Sequence, residues 1–134
     1  MMRESWLPAA PESAPIARAM VRDAAVEQGL DGDCAWDLML ATTEAVANAI
    51  NHGKPCKDGG HGIHVRVQPW EGGDGLCVEV SDCGTFEASA EPADHDATHG
   101  RGIPIITAVV DHFELLPEGP LTRVRFAKRS AMAA

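Results

Sequence analysis

Long apolar runs, closely spaced cysteines and clustered positive charge are all missing from this 134-residue sequence. No apolar run approaches the roughly 18 residues that cross a bilayer as a helix, so a soluble chain is expected. Residues 1–8 lack the long apolar stretch of a secretory signal, and the expected location is the cytoplasm. The four cysteines, Cys34, Cys56, Cys77 and Cys83, form no C-x-x-C pair and sit in otherwise regular segments, a poor spacing for zinc that fits reduced thiols. Lysine and arginine number 11 against 20 aspartates and glutamates, a net charge of -9. No basic cluster occurs before Lys128 and Arg129, which argues against a nucleic-acid backbone as the main partner. A nucleotide ligand would need a metal ion to help neutralise it. Also missing are G-x-x-x-x-G-K-[ST] and G-x-G-x-x-G, so neither a P-loop nor a Rossmann site is available.

The sequence does have an ordinary globular balance, 45% apolar and 23% charged, at a length that fits one domain over residues 1–134. A first helix is predicted from Ser13 as N-cap, with Pro15 in its first turn and Ile16, Met20, Val21 and Ala24 inward, until Gly29 stops it. Trp6 and Leu7 before it suit a short edge strand. A second helix, capped by Asp33, places Trp36, Met39, Leu40, Thr43, Ala47 and Ile50 on one face and ends near His52 and Gly53. Alternation over 63–67 and 76–80, joined by a Gly-rich link, predicts a hairpin with one wet face. Residues 87–99 are polar and aperiodic, a long loop of the kind that carries function or moves. A helix from Gly102 to about Asp111, with Pro104 in its first turn, precedes a second hairpin over 113–115 and 122–126. Grouped helices and antiparallel hairpins predict an α+β two-layer sandwich, with helices on one face of a mixed, mostly antiparallel sheet.

Three short stretches carry chemistry. Glu44 and Asn48 are four residues apart on the second helix, so they stack on one side and border its apolar stripe. A carboxylate there can accept a proton from a hydroxyl or a water, and an amide oxygen is a hard ligand suited to Mg2+. Spacing alone more often describes an acid and an amide facing solvent, and Asn51 reads the same way. Asp82 follows an apolar strand, and Gly84 lets the backbone approach a flat ligand with no Cβ in the way. The aspartate can accept hydrogen bonds from an exocyclic amine such as that of adenine, although Asp and Gly also mark a plain turn. Gly100, Arg101 and Gly102 lead into the apolar run 103–110, where backbone N–H groups and the positive helix end converge on a place for an anion. A hinge before a buried helix would look similar, with Arg101 either a charge for phosphates or a solvated side chain.

Other residues read more simply. His61 with His64, and His95 with His99, have spacings compatible with a metal, but outward strand phase and loop context favour solvated imidazoles. Trp6, Trp36 and Trp70 are far apart in sequence, which points to core or edge anchors and not to a base-stacking platform.

The order of the three stretches resembles the ATP-binding fold shared by DNA gyrase, the heat-shock chaperone ATPase, histidine kinases and MutL. Within that superfamily, the small size and the runs TEAVANAINH (43–52), VSDCG (80–84) and HGRGIPII (99–106) are most similar to bacterial anti-sigma-factor serine/threonine kinases. The resemblance covers nearly the whole chain, from the first helix to the strand 122–128. It implies a Bergerat-type, histidine-kinase-like ATPase fold with ATP and Mg2+ as cofactors. By that resemblance Glu44 is the catalytic base, Asn48 the magnesium ligand, Asp82 the adenine contact with Gly84 beside it, and Gly100, Arg101 and Gly102 the phosphate-facing end of a lid. Thr122 matches a threonine that supports the adenine pocket through water. The family's second motif is Asp-x-Gly-x-Gly, and here it reads DCGTF (82–86), without the second glycine.

The activity implied is phosphorylation of a small antagonist protein on serine or threonine, together with sequestration of a sigma factor. A homodimer is expected, with neither nucleic acid nor membrane as partner. A non-catalytic binding module that uses nucleotide weakly or not at all is the alternative favoured by the altered second motif. A detached histidine-kinase catalytic domain is a third reading, disfavoured because no dimerising helical hairpin with a phospho-accepting histidine fits into residues 1–30.

Overall fold

The computed structural model of the chain describes residues 2–52, 62–71, 73–82, 102–118 and 121–130. In chain order the elements are β1 (Arg3–Pro8), α1 (Ser13–Gln28), α2 (Gly32–His52), β2 (Gly62–Pro69), β3 (Gly75–Asp82), α3 (Gly102–Val109), β4 (His112–Glu118) and β5 (Leu121–Arg129). The strands form one sheet in the order β1-β2-β3-β5-β4, and α1 and α2 pack against it around a single core, giving the expected α+β two-layer fold. Each pairing between described strands is antiparallel, not mixed. The reason is the last hairpin: β4 runs in the direction of β3 but lies at the edge, and β5 returns between them. No helix among the described residues is long and apolar enough to cross a membrane.

α1 stops where the sequence predicts. Gly29 adopts φ 77°, and its amide and that of Leu30 bond back to the carbonyls of Val26 and Ala25 at 3.1 and 2.9 Å, the paired bonds of a Schellman cap. Its start differs. Ser13 is the first helical residue and not the N-cap, because its hydroxyl donates to the carbonyl of Pro8 at 2.5 Å and ties α1 to the end of β1. Ile16 is 47% exposed, and Ala17, Val21, Ala24 and Ala25 face the core instead.

α2 is rotated relative to the predicted stripe. Leu38, Ala41, Thr42, Ala45, Val46 and Ala49 are buried, whereas Trp36 is 67% exposed. α2 also begins at Gly32, one residue before the expected cap Asp33, and the amide of Ala35 bonds the carbonyl of Asp31 at 3.0 Å. Thr42 and Thr43 return their hydroxyls to the carbonyls of Leu38 and Met39 four residues earlier. Thr43 also accepts from Nη1 of Arg18 at 3.2 Å, so this side of α2 meets α1. Of the tryptophans, Trp6 lies on edge strand β1 and is 69% exposed against His64, with ring centroids 4.7 Å apart. Trp70 is half-buried under the guanidinium of Arg129, 5.0 Å from its ring. None of the three belongs to the core.

The helix-facing side of the sheet is apolar: Ile63, Val65 and Val67 on β2, Leu76, Val78 and Val80 on β3, Val124 and Phe126 on β5. The opposite side was expected to be wet. At β3 it is not, since Cys77, Glu79 and Ser81 are 1%, 8% and 8% exposed. Strand register explains this. Glu4, Arg66, Glu79, Arg125 and Glu114 stand in one row across all five strands, alternating in sign. Nε of Arg66 is 3.4 Å from Glu4, and Nε of Arg123 and of Arg125 lie 3.7 and 3.8 Å from the two oxygens of Glu79. The long guanidinium stems cover the central strand while their heads stay near water. Arg125 also donates from Nε to Sγ of Cys77 at 3.3 Å. Burial pushes that thiol above its ordinary value, and the arginine partly offsets the rise.

Candidate functional site

The helix-facing row of the sheet changes character at one end. Val78 pairs with Phe126 and Val80 with Val124, both apolar; the next pair on the same side is Asp82 with Thr122. Thr122 is buried and Asp82 half-buried. A pocket opens over this polar end. Val80, Val124 and Leu115 contribute its sheet wall, Ile103 at the start of α3 a second wall, and Ala45, Asn48, Ala49 and His52 the wall from the C-terminal half of α2. The alanines matter here: small side chains on the buried face of α2 leave space between helix and sheet.

Three of the predicted site residues, Asn48, Asp82 and Thr122, therefore line one pocket although they are 34 or more positions apart along the chain. Gly102 opens α3, next to the pocket residue Ile103. Glu44 sits one turn before Asn48 on the same side of α2, half-buried, and is not part of the lining. Gly84, Gly100 and Arg101, the long loop 87–99 and the residues of the altered second motif beyond Asp82 lie outside the described residues.

His52 was not anticipated. It continues the row Glu44, Asn48, His52 at four-residue intervals, and that spacing was its only sequence signal. Of the histidine pairs weighed as metal ligands, His61, His95 and His99 lie outside the described residues, and His64 rests on Trp6 with Glu4 4.0 Å away. Among the described residues no group of three or more His, Cys, Asp or Glu is placed to hold a metal ion.

Chemically, apolar walls with a carboxylate and a hydroxyl among the lining groups suit a flat heteroaromatic ring that offers a hydrogen-bond donor at its edge. The amide of Asn48 adds a neutral oxygen of the kind a hard divalent cation accepts.

A family model described as the histidine kinase-like ATPase domain matches residues 7–128. The chain belongs to that family. Among solved structures, this histidine kinase-like ATPase domain is similar to the RsbU and RsbW domains of Rv1364c from Mycobacterium tuberculosis, with a TM-score of 0.76 at 23% identity. That match covers 100% of this chain and 34% of the other, so the domain spans about a third of the solved chain it resembles. Identity this low shows a shared fold and nothing finer. No curated protein matches the sequence. In this histidine kinase-like ATPase domain, the pocket between α2, α3 and the β3–β5 end is where Asn48, Asp82 and Thr122 meet.

Proposed function

We propose that the chain is an ATP-dependent serine/threonine protein kinase of the anti-sigma-factor type, which phosphorylates a small antagonist protein and sequesters a sigma factor. The observation that carries this reading is the convergence of Asn48, Asp82 and Thr122 on one otherwise apolar pocket. Membership of the histidine kinase-like ATPase family and the fold shared with a chain containing an RsbW domain support it.

In this reading Asp82 accepts a hydrogen bond from the amino group of adenine, with Thr122 beside it and the valines of the sheet wall against one ring face. Asn48 offers its amide oxygen to Mg2+, and Gly84, Gly100, Arg101 and Gly102 form the phosphate-facing end of the site. Mg·ATP would supply the γ-phosphoryl group, and its Mg2+ would offset part of the phosphate charge next to a domain of net charge -9. In this reading the protein hydroxyl approaches Glu44, which lies one turn along α2 from Asn48 and outside the pocket lining. Glu44 takes the proton as the acceptor oxygen bonds to the γ-phosphorus and the bond to the β–γ bridging oxygen breaks, leaving ADP. Phosphorylation then adds negative charge to the antagonist at a contact with an acidic protein, which favours release. A homodimer and a cytoplasmic location belong to the same reading.

A second reading, a partner-binding module that has kept the fold but not the catalysis, is favoured by one feature, the DCGTF sequence in place of Asp-x-Gly-x-Gly. Titration with Mg·ATP, followed by transfer of labelled phosphate from ATP to a candidate antagonist, separates the two. Saturable, Mg-dependent binding that is lost in Asn48→Ala, together with transfer, is the result expected of a kinase. Absence of saturable binding at millimolar nucleotide would leave the module.

A further inference from the structure

Away from the pocket, one ammonium group ties three elements together. Nζ of Lys128, on β5, donates to the carbonyl of Val109, the last residue of α3, at 3.0 Å, and lies 3.3 Å from Oδ2 of Asp37 on α2. The Lys128 side chain is only 18% exposed. Two further bonds join the link just after α3 to the same strand: the Asp111 amide donates to the Ala127 carbonyl at 2.9 Å, and the Arg129 amide donates to Oδ2 of Asp111 at 2.7 Å.

α3 has eight residues, too few to be stable as an isolated helix, and it packs mainly on α2. Its first turn carries Ile103, a wall of the pocket; its last carries Val109, held by Lys128. These two residues are about 9 Å apart along the helix at about 1.5 Å per residue. The last carbonyls of a helix carry partial negative charge and have no partner within the helix, so a cation held there both caps and orients it. Because the same ammonium meets Asp37, its loss would remove one tie of α3 to β5 and one tie of that corner to α2 together, while the packing on α2 and the Asp111 bonds remain.

We propose that Lys128 is a positioning residue of the nucleotide site, a clamp that fixes the angle at which α3 presents Ile103 to the pocket. This rests on the nucleotide-binding reading of that pocket. Lys128 touches no ligand; it acts through α3.

Lys128→Met keeps the aliphatic stem and removes the ammonium, and Lys128→Arg keeps a cation. Hydrogen exchange of the α3 amides, measured without nucleotide, and titration with Mg·ATP give two independent readouts. In Lys128→Met the α3 amides should exchange about tenfold faster, while β2 and β3 stay protected. The Kd for Mg·ATP should rise about fivefold, a typical size for coupling between separated sites. Lys128→Arg should restore most of both, and Asp37→Asn should shift both less, in the same direction. Unchanged α3 exchange overturns the clamp. Faster exchange with an unchanged Kd overturns its link to the pocket. A wild-type protein without ATP affinity overturns the nucleotide reading and the link with it, while α3 exchange still reports on the clamp. Should Lys128→Met fail to fold, Lys128→Arg and Asp37→Asn decide the matter with the same measurements.

Discussion

Asp82 and Thr122 are direct cross-strand partners on β3 and β5, the first polar pair beyond two apolar ones on the helix-facing side of the sheet. A carboxylate in that place accepts from an amino group, which adenine offers at its six-position and guanine does not. ATP should therefore bind better than GTP. Asp82→Ala should weaken ATP binding about 10- to 100-fold, the range for a hydrogen bond to a charged group, and should erase the preference. Thr122→Val, which keeps the shape, should cost less. Titration of both nucleotides against wild type and variants checks this, and equal affinities in the wild type would count against Asp82 as the base reader.

Glu44 and Asn48 share a side of α2, but only Asn48 lines the pocket. Removing the two side chains should accordingly have separable effects. Glu44→Ala should leave the Kd for Mg·ATP within about twofold and slow phosphate transfer by roughly 10² to 10⁴, the usual share of a general base. Asn48→Ala should lose Mg-dependent binding first. Transfer at the wild-type rate in Glu44→Ala would remove that residue from the chemistry.

Gly75 starts β3 against β5, and a Cβ added there would collide with the carbonyl of Lys128 and come within 3.0 Å of the Arg129 Cα. Backbone cannot move aside as a flexible side chain can. Gly75→Ala should lower stability by about 1–3 kcal/mol, the cost of overpacking. Gly29 is the control: its neighbourhood is open, but its φ is 77°, so Gly29→Ala should cost only about 1–2 kcal/mol for the left-handed backbone. Urea unfolding of both variants measures the difference.

Local chemistry made much of this fold legible in the sequence. Gly29 ends α1 because only glycine takes its conformation without strain, and period-two alternation marked β2 and β3. That Asn48, Asp82 and Thr122 meet in one pocket was readable because motif order resembles a known arrangement. The buried face of α2 was not. Apolar residues on that helix spread well beyond one stripe, and the bulkier set containing Trp36, Met39 and Leu40 outweighed the alanines that in fact lie against the sheet. Packing between helix and sheet favours small residues there, and periodicity within one helix carries no trace of its neighbours. Burial of Glu79 was hidden for the same reason: Arg66, Arg123 and Arg125, which cover or pair with it, arrive from strands that lie beside β3 only after folding.

The far end of that charged row supplies a pH test. On β4, Glu114 pairs with Nε2 of His112, and that hydrogen bond, helped by the charge of Arg125, holds its carboxyl below the ordinary value of 4.5. A carboxylate depressed in the folded state contributes stability that is fully present above its unfolded pKa and is lost as pH falls through the lower, folded value. Glu114 is exposed enough for water to screen the pair, so the contribution is small, but its sign is fixed. Urea midpoints followed downward from pH 6 should fall more steeply below about pH 4.5 in the wild type than in Glu114→Gln, whose side chain does not titrate. His112→Ala should flatten the wild-type slope in the same window, because it removes the main cause of the shift. Parallel curves for all three proteins would mean that the two side chains do not pair in solution.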